Sequence, residues 1–165
     1  MKVIIYLRKS RDEEKSIEDV LSVHRDRLTH LCESLGHTYD IEQEIGSSDT
    51  IKGRLAFQKV LYELLPAGTY GAVVVNEISR LGRGNMRDAG EIYQTLIDCN
   101  IKVITPHKTY DPTNRADRRQ IRFELFLSRE EFEMIREWEN EGRSPEEVRA
   151  LWEKLADIAS HYKPI

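Results

Sequence analysis

Cysteine is scarce in this sequence: Cys32 and Cys99 are the two present, and both fall in helix-like stretches. They form no CxxC pair and no Cys/His cluster, so a zinc site has no support. Each reads as a small core residue of a protein in a reducing cytoplasm. The five histidines are scattered, with no HxxxH pair. Long apolar runs are missing as well. None approaches the ~20 residues needed to span a bilayer, and the apolar start Met1–Tyr6 is too short for a signal peptide. No membrane role is expected. Positive charge is not in excess either. The net charge is −4 at pH 7, which argues against holding nucleic acid by bulk electrostatics and leaves open local contact through clustered arginines. Clustered carboxylates for metal-assisted phosphoryl transfer are absent, as is a GxxxxGKS or GxxxxGKT phosphate loop. Internal repeats and low-complexity tracts are also absent.

What is present reads as alternating strands and helices. Its 165 residues suit one main domain with a small appendage. Val3–Leu7 is a short continuous apolar run, as in a buried parallel strand. Ser16 precedes a helical pattern through Ile17, Val20, Leu21, His24, Leu28, Leu31 and Leu35, closed by Gly36. Tyr39–Ile45 reads as a second strand, residues 46–50 as a polar loop, and about Arg54–Leu65 as a short helix. Ala72–Val75 is the clearest strand. Met86–Asp98 carries Ala89, Ile92, Tyr93, Leu96 and Ile97 on one helical face. Ile101–Thr105 is a fourth strand, and Pro106–Asn114 reads as irregular. The succession predicts an α/β fold: an open, mostly parallel sheet flanked by helices over residues 1–114.

From about Arg115 to Glu139 the pattern is one long helix of roughly 25 residues, or ~37 Å. Ile121, Leu125, Phe132 and Ile135 lie on one stripe, while Phe123, Phe126, Leu127 and Met134 lie off it. A helix apolar on two sides must bury both. Residues 115–140 are therefore expected to form an oligomerisation helix with Leu125, Phe132 and Ile135 at a subunit interface; packing wholly within the monomer is the alternative. Gly142-Arg143 breaks the pattern. Ser144-Pro145-Glu146-Glu147 is a helix start, leaving residues 141–165 as a short helical segment of unclear role.

In such a sheet, functional groups collect where strands end. The first strand delivers Arg8 and Ser10, the second leads to a loop closing at Arg54, and the third delivers Arg80 and Arg83. Guanidinium forks match phosphate oxygens and offset the charge that develops during phosphoryl transfer. A serine in that field can attack phosphorus and hold the product covalently. The chemistry indicated is transfer through a phosphoserine with no metal or other cofactor.

Tyr6-Leu7-Arg8-Lys9-Ser10 resembles the Y-x-R-x-S signature of serine recombinases of the resolvase–invertase family. Ile78-Ser79-Arg80-Leu81-Gly82-Arg83 is similar to their D-R-L-x-R signature. Gly46-Ser47-Ser48 with Gly53-Arg54 resembles their S-G…R-P segment, and Arg122–Glu133 the start of their long interface helix. The resemblance covers about residues 2–137 and is nearest to the large serine recombinases of phages and mobile elements. It implies a resolvase-like catalytic domain acting on double-stranded DNA attachment sites as a homo-oligomer, a dimer that becomes a tetramer on DNA. Ser10 would attack a DNA phosphate and leave a 5′-phosphoserine and a free 3′-hydroxyl. Arg8, Arg54, Arg80 and Arg83 would clamp that phosphate, with Tyr6 and Ser47 supporting the site.

Three departures stand out. Ser79 replaces the family aspartate, and Glu44 and Asp49 are unranked substitutes for it. Glu63 stands near a lysine of smaller resolvases. The sequence continues only briefly past the long helix, as expected of an excised catalytic domain or of a naturally short relative. Two other readings remain open: a catalytically silent oligomerising relative that regulates a complete recombinase, and a different phosphate-handling α/β enzyme.

Overall fold

Successive side chains of a strand leave on opposite sides, and this alternation divides the core in two. The computed structural model describes residues 1–9, 17–45, 51–82, 86–126 and 137–161. In β1 (Lys2–Lys9), Val3, Ile5 and Leu7 join one apolar cluster and Ile4 and Tyr6 the other. β3 (Ala72–Val74) sends Ala72 and Val74 to the first and Val73 to the second, and β4 (Lys102–Ile104) splits Ile104 from Val103 likewise. The first cluster is closed by Leu21, Leu28 and Cys32 of α1 (Ile17–Ser34). The second is closed by Phe57 of α2 (Leu55–Lys59), by Ala89, Ile92 and Leu96 of α3 (Met86–Asp98), and by Ile121 and Leu125 of α4 (Arg115–Phe126). With helices on both faces, Val3–Leu7 are at most 2% exposed, which is why β1 is a continuous apolar run rather than an alternating one.

With β2 at Thr38–Ile45 and β5 at Thr109–Tyr110, the sheet order is β2-β1-β3-β4-β5. β1 runs parallel to β2 (Thr38–Ile45) along its whole length and to β3 on its other side, and β3 runs parallel to β4. The chain thus goes outward to the edge strand β2, then crosses back past β1 to β3. The connections after β1 and β3 diverge, which opens a crevice at the carboxyl ends of these neighbours.

Helix ends follow their local chemistry. α1 stops at Gly36, whose φ of 75° lets the His37 N–H reach the Cys32 carbonyl at 2.9 Å. α5 (Pro145–His161) starts at Ser144, whose Oγ accepts the Glu147 N–H at 3.1 Å.

Two expectations need correction. The segment after β4 is not wholly irregular: Thr109–Tyr110 forms β5, antiparallel to β4. The Thr105 hydroxyl organises the intervening turn by accepting the N–H groups of His107 and Lys108. The short helix expected over Arg54–Leu65 is present and widens into a π turn over Val60–Leu64, with Leu65 N–H bonded to the Val60 carbonyl at 2.9 Å. Leu125, expected at a subunit interface, is 0% exposed within the monomer. The first turns of α4 lie on the sheet core, and beside Leu125 the Phe126 ring meets Tyr93 of α3 edge-on at 6.2 Å. Phe132 and Ile135 fall outside the described residues; residues 137–140 are helical.

The root of α4 is tied to β5. Asn114 Oδ1 caps the helix through the Asp117 N–H at 3.0 Å. The Asp117 carboxylate accepts the Asp111 N–H at 3.1 Å and pairs with Lys108. Burial pushes the Asp117 carboxyl up, but the Lys108 ammonium and the Asp111 N–H outweigh it and leave the group below its ordinary value. A depressed carboxyl stabilises the fold above the unfolded value near ~3.9 and loses that contribution as pH falls through the folded value. Asp117→Ala should therefore cost about 2 kcal/mol at neutral pH, a modest figure because Lys108 is half exposed. The gap to the wild type should narrow near pH ~3. Urea melts at the two pH values check this; an unchanged gap would show that the charge of Asp117 is irrelevant.

Candidate active site at the carboxyl ends of the strands

Register places Arg8 opposite Glu44, and Tyr6 opposite Glu42, on adjacent parallel strands. Side chains in register share a face, so Tyr6, Arg8 and Glu44 all lie on the α2 side of the sheet. The Tyr6 hydroxyl donates to Glu44 Oε2. The same carboxylate accepts the N–H groups of Ala56 at 3.2 Å and Phe57 at 3.0 Å. Arg54 at the N-cap of α2 gives no side-chain cap; Glu44 supplies it from a neighbouring strand, where a negative charge is favoured. Burial is the main reason the Tyr6 hydroxyl is held far above its ordinary value; Arg54 opposes the shift and Glu44 adds to it. The phenol therefore stays protonated and serves as a donor.

Arg54 is 1% exposed. Its guanidinium lies over the Phe57 ring at 4.2 Å. Nη1 donates to the Arg80 carbonyl at 3.2 Å and Nη2 to the Leu81 carbonyl at 2.7 Å. Burial lowers its pKa, with Tyr6 pulling the other way; an arginine remains charged even so. Two of its N–H donors hold the main chain of the β3–α3 connection, so Arg54 positions the residues around it. Gly82 follows this stretch, and a Cβ there would meet Ile92 Cδ1 at 2.8 Å and Arg54 Nη2 at 3.7 Å, so the chain passes close because Gly82 has no side chain.

Arg80 lies in a 3-10 turn, Ile78–Arg80. Its side chain is 21% exposed, and its Nη1 donates to the Arg8 carbonyl at 3.3 Å. The loop after β3 thus reaches the end of β1, as the strand-end argument requires. Sequence reasoning missed Glu77: Arg80 Nη2 stands 3.8 Å from its Oε1, and the Ser79 hydroxyl donates to its Oε2 at 3.1 Å. The i,i+3 spacing of Glu77 and Arg80 was the available signal. Beside this turn lies a cleft of about 550 Å³ bordered by Arg27, Asn76, Glu77, Ser79, His107 and Glu124. Burial holds the Glu124 carboxyl above its ordinary value; the Gln120 amide opposes this and the charge of Glu77 adds to it. Among the described residues, no group of three or more His, Cys, Asp or Glu side chains could hold a metal ion.

Tyr6, Arg8, Glu44, Arg54 and Arg80 are therefore brought together. Ser10, Ser47, Asp49 and Arg83 lie outside the described residues.

Comparison with known proteins agrees with this fold. The sequence profile of the resolvase N-terminal domain matches residues 3–149. The fold is similar to that of the N-terminal catalytic domain of TP901-1 integrase, at 23% identity and TM-score 0.58, over 87% of this chain and 100% of that one. It is similar to a resolvase family site-specific recombinase from Streptococcus pneumoniae, at 18% identity and TM-score 0.56, over 94% and 98%. It is also similar to the C-terminal catalytic domain of ISC1926 TnpA, an IS607-like serine recombinase, at 14% identity and TM-score 0.53, over 98% and 100%. At such identities the structural likeness is one of fold.

Proposed function

Because the chain belongs to the resolvase family, as the match to its N-terminal domain over residues 3–149 establishes, we propose that it is a site-specific recombinase catalytic domain that cuts and rejoins DNA through Ser10. The observation that carries this reading is the meeting of two strand ends: Arg80 bonds the carbonyl of Arg8, two residues before Ser10.

In the reaction, Ser10 Oγ attacks phosphorus as its proton passes to solvent. The bond from phosphorus to the 3′ oxygen breaks, and that oxygen takes up a proton to leave as a hydroxyl. One phosphoester is exchanged for another, so attack by a 3′-hydroxyl on the phosphoserine restores DNA without ATP. Arg8, Arg80 and Arg83 offset the negative charge gathered on the phosphoryl oxygens. Tyr6, Glu44 and Arg54 hold the framework from which these arginines project. Partner copies assemble through residues 115–140, with Phe132 and Ile135 in the contact, as a dimer that becomes a tetramer on paired sites.

Duplexes of randomised sequence carrying sulfur at the 3′ bridging position test this, because the thiolate released rejoins poorly and the adduct accumulates. Wild-type protein should yield detergent-stable adducts with a 5′-phosphate on Ser10, located by peptide mass spectrometry. Adducts that persist in Ser10→Ala would sink the assignment.

A further inference from the structure

We propose that Glu77 is the positioning residue for Arg80, the carboxylate that sets its guanidinium at the end of β1, and that Ser79 fixes Glu77 in place. The role in catalysis rests on the strand-cleavage reading above.

The geometry starts with the backbone. Glu77 has extended φ and ψ of −153° and 153° and precedes the 3-10 turn, and its carbonyl accepts the Arg80 N–H at 3.0 Å. That i,i+3 bond folds Arg80 back towards Glu77, and their side chains meet across the turn. Among the described residues, the tip of Arg80 is restrained by Nη1 on the Arg8 carbonyl at 3.3 Å and by Nη2 facing Glu77 Oε1 at 3.8 Å. The other carboxylate oxygen of Glu77 is taken by the Ser79 hydroxyl at 3.1 Å. A serine at position 79 carries no charge with which to hold an arginine. It does supply a donor that orients the carboxylate two residues earlier. The sequence pattern left the acid of this loop open between Glu44 and Asp49. Glu44 is committed to Tyr6 and to the start of α2, whereas Glu77 faces Arg80 directly.

Glu77 is 54% exposed and its pairing with Arg80 is loose, so it adds little to stability. Its value is directional. A guanidinium that swings away from the phosphate position loses its hold on the transition state, and a misplacement of about 1 Å can cost on the order of 100-fold in rate.

The test compares Glu77→Gln, Glu77→Asp, Ser79→Asp and the double variant Glu77→Gln/Ser79→Asp. Two readouts are taken on the same protein: adduct formation on the sulfur-bridged duplexes, and heteronuclear NMR of the arginine side-chain Nε–H groups, with the Arg80 signal assigned by its loss in Arg80→Lys. Glu77→Gln should slow adduct formation on the order of 10- to 100-fold, shift and broaden the Arg80 signal, and leave the melting temperature almost unchanged. Glu77→Asp should keep part of the rate. Ser79→Asp alone should not accelerate the reaction, because it sets a second carboxylate beside the first. In the Glu77→Gln background the same change should restore both rate and signal. That reversal of sign is something a merely structural residue would not produce.

If Glu77→Gln leaves the Arg80 signal and the rate unaltered, the inference is overturned. If wild-type protein forms no adduct while Glu77→Gln still releases Arg80, the positioning stands and the strand-cleavage reading falls.

Discussion

Arg54→Ala should lower the unfolding free energy by about 3 kcal/mol. The side chain is 1% exposed and makes a buried hydrogen bond to the Leu81 carbonyl and a part-buried one to the Arg80 carbonyl. Truncation strands both carbonyls, at roughly 1–3 kcal/mol for a buried unsatisfied group, and removes the cation from the Phe57 face. Arg54→Lys should recover less than half, because an ammonium cannot reproduce a fork that reaches two carbonyls at once. Chemical denaturation of the three proteins measures this. A loss below about 1 kcal/mol in Arg54→Ala would mean that the β3–α3 connection is held by other contacts.

Arg80→Ala should show the opposite balance. Removing one donor aimed at developing charge costs on the order of 1,000-fold in rate, so adduct formation should nearly vanish. Stability should fall by no more than about 1 kcal/mol, since the side chain is partly exposed and its pairing with Glu77 is loose. Arg80→Lys should stay well below wild type, because a point charge makes no bidentate contact with phosphate. Denaturation and adduct assays on the same preparation separate the two arginines: Arg54 acts chiefly through the fold, Arg80 chiefly through the reaction. Cleavage retained in an Arg80→Ala protein that melts early would reverse that assignment.

Much of the fold was legible because buried parallel strands leave a strong trace. The apolar run Val3–Leu7 and the stretch from Ala72 became β1 and β3, and the stripe Ala89–Ile92–Leu96 became the buried face of α3. β5 was invisible because two residues carry no periodicity and its turn depends on the Thr105 hydroxyl. Leu125 was misplaced for a different reason: a stripe shows that a face is buried but not by what, and the core of the same chain covers its first turns. At the site, the gathering of arginines from separate strand ends followed from topology. The distinction between Arg54 and Arg80 did not, because it depends on the depth at which each guanidinium ends. Glu77 escaped notice because its i,i+3 spacing to Arg80 falls in a single short turn within a stretch that reads as loop.

The division of β1 between two cores sets a rule for how this strand tolerates change. A substitution at Ile5 or Ile4 alters one pocket and leaves the others in register. A residue inserted or deleted before Tyr6 would transpose the whole strand: the phenol would turn into the layer beneath α1, and Arg8 would leave the face it shares with Glu44. A change of bulk in this segment is felt in one core at a time, whereas a change in the number of residues counted from its first hydrogen-bonded pair is felt in both.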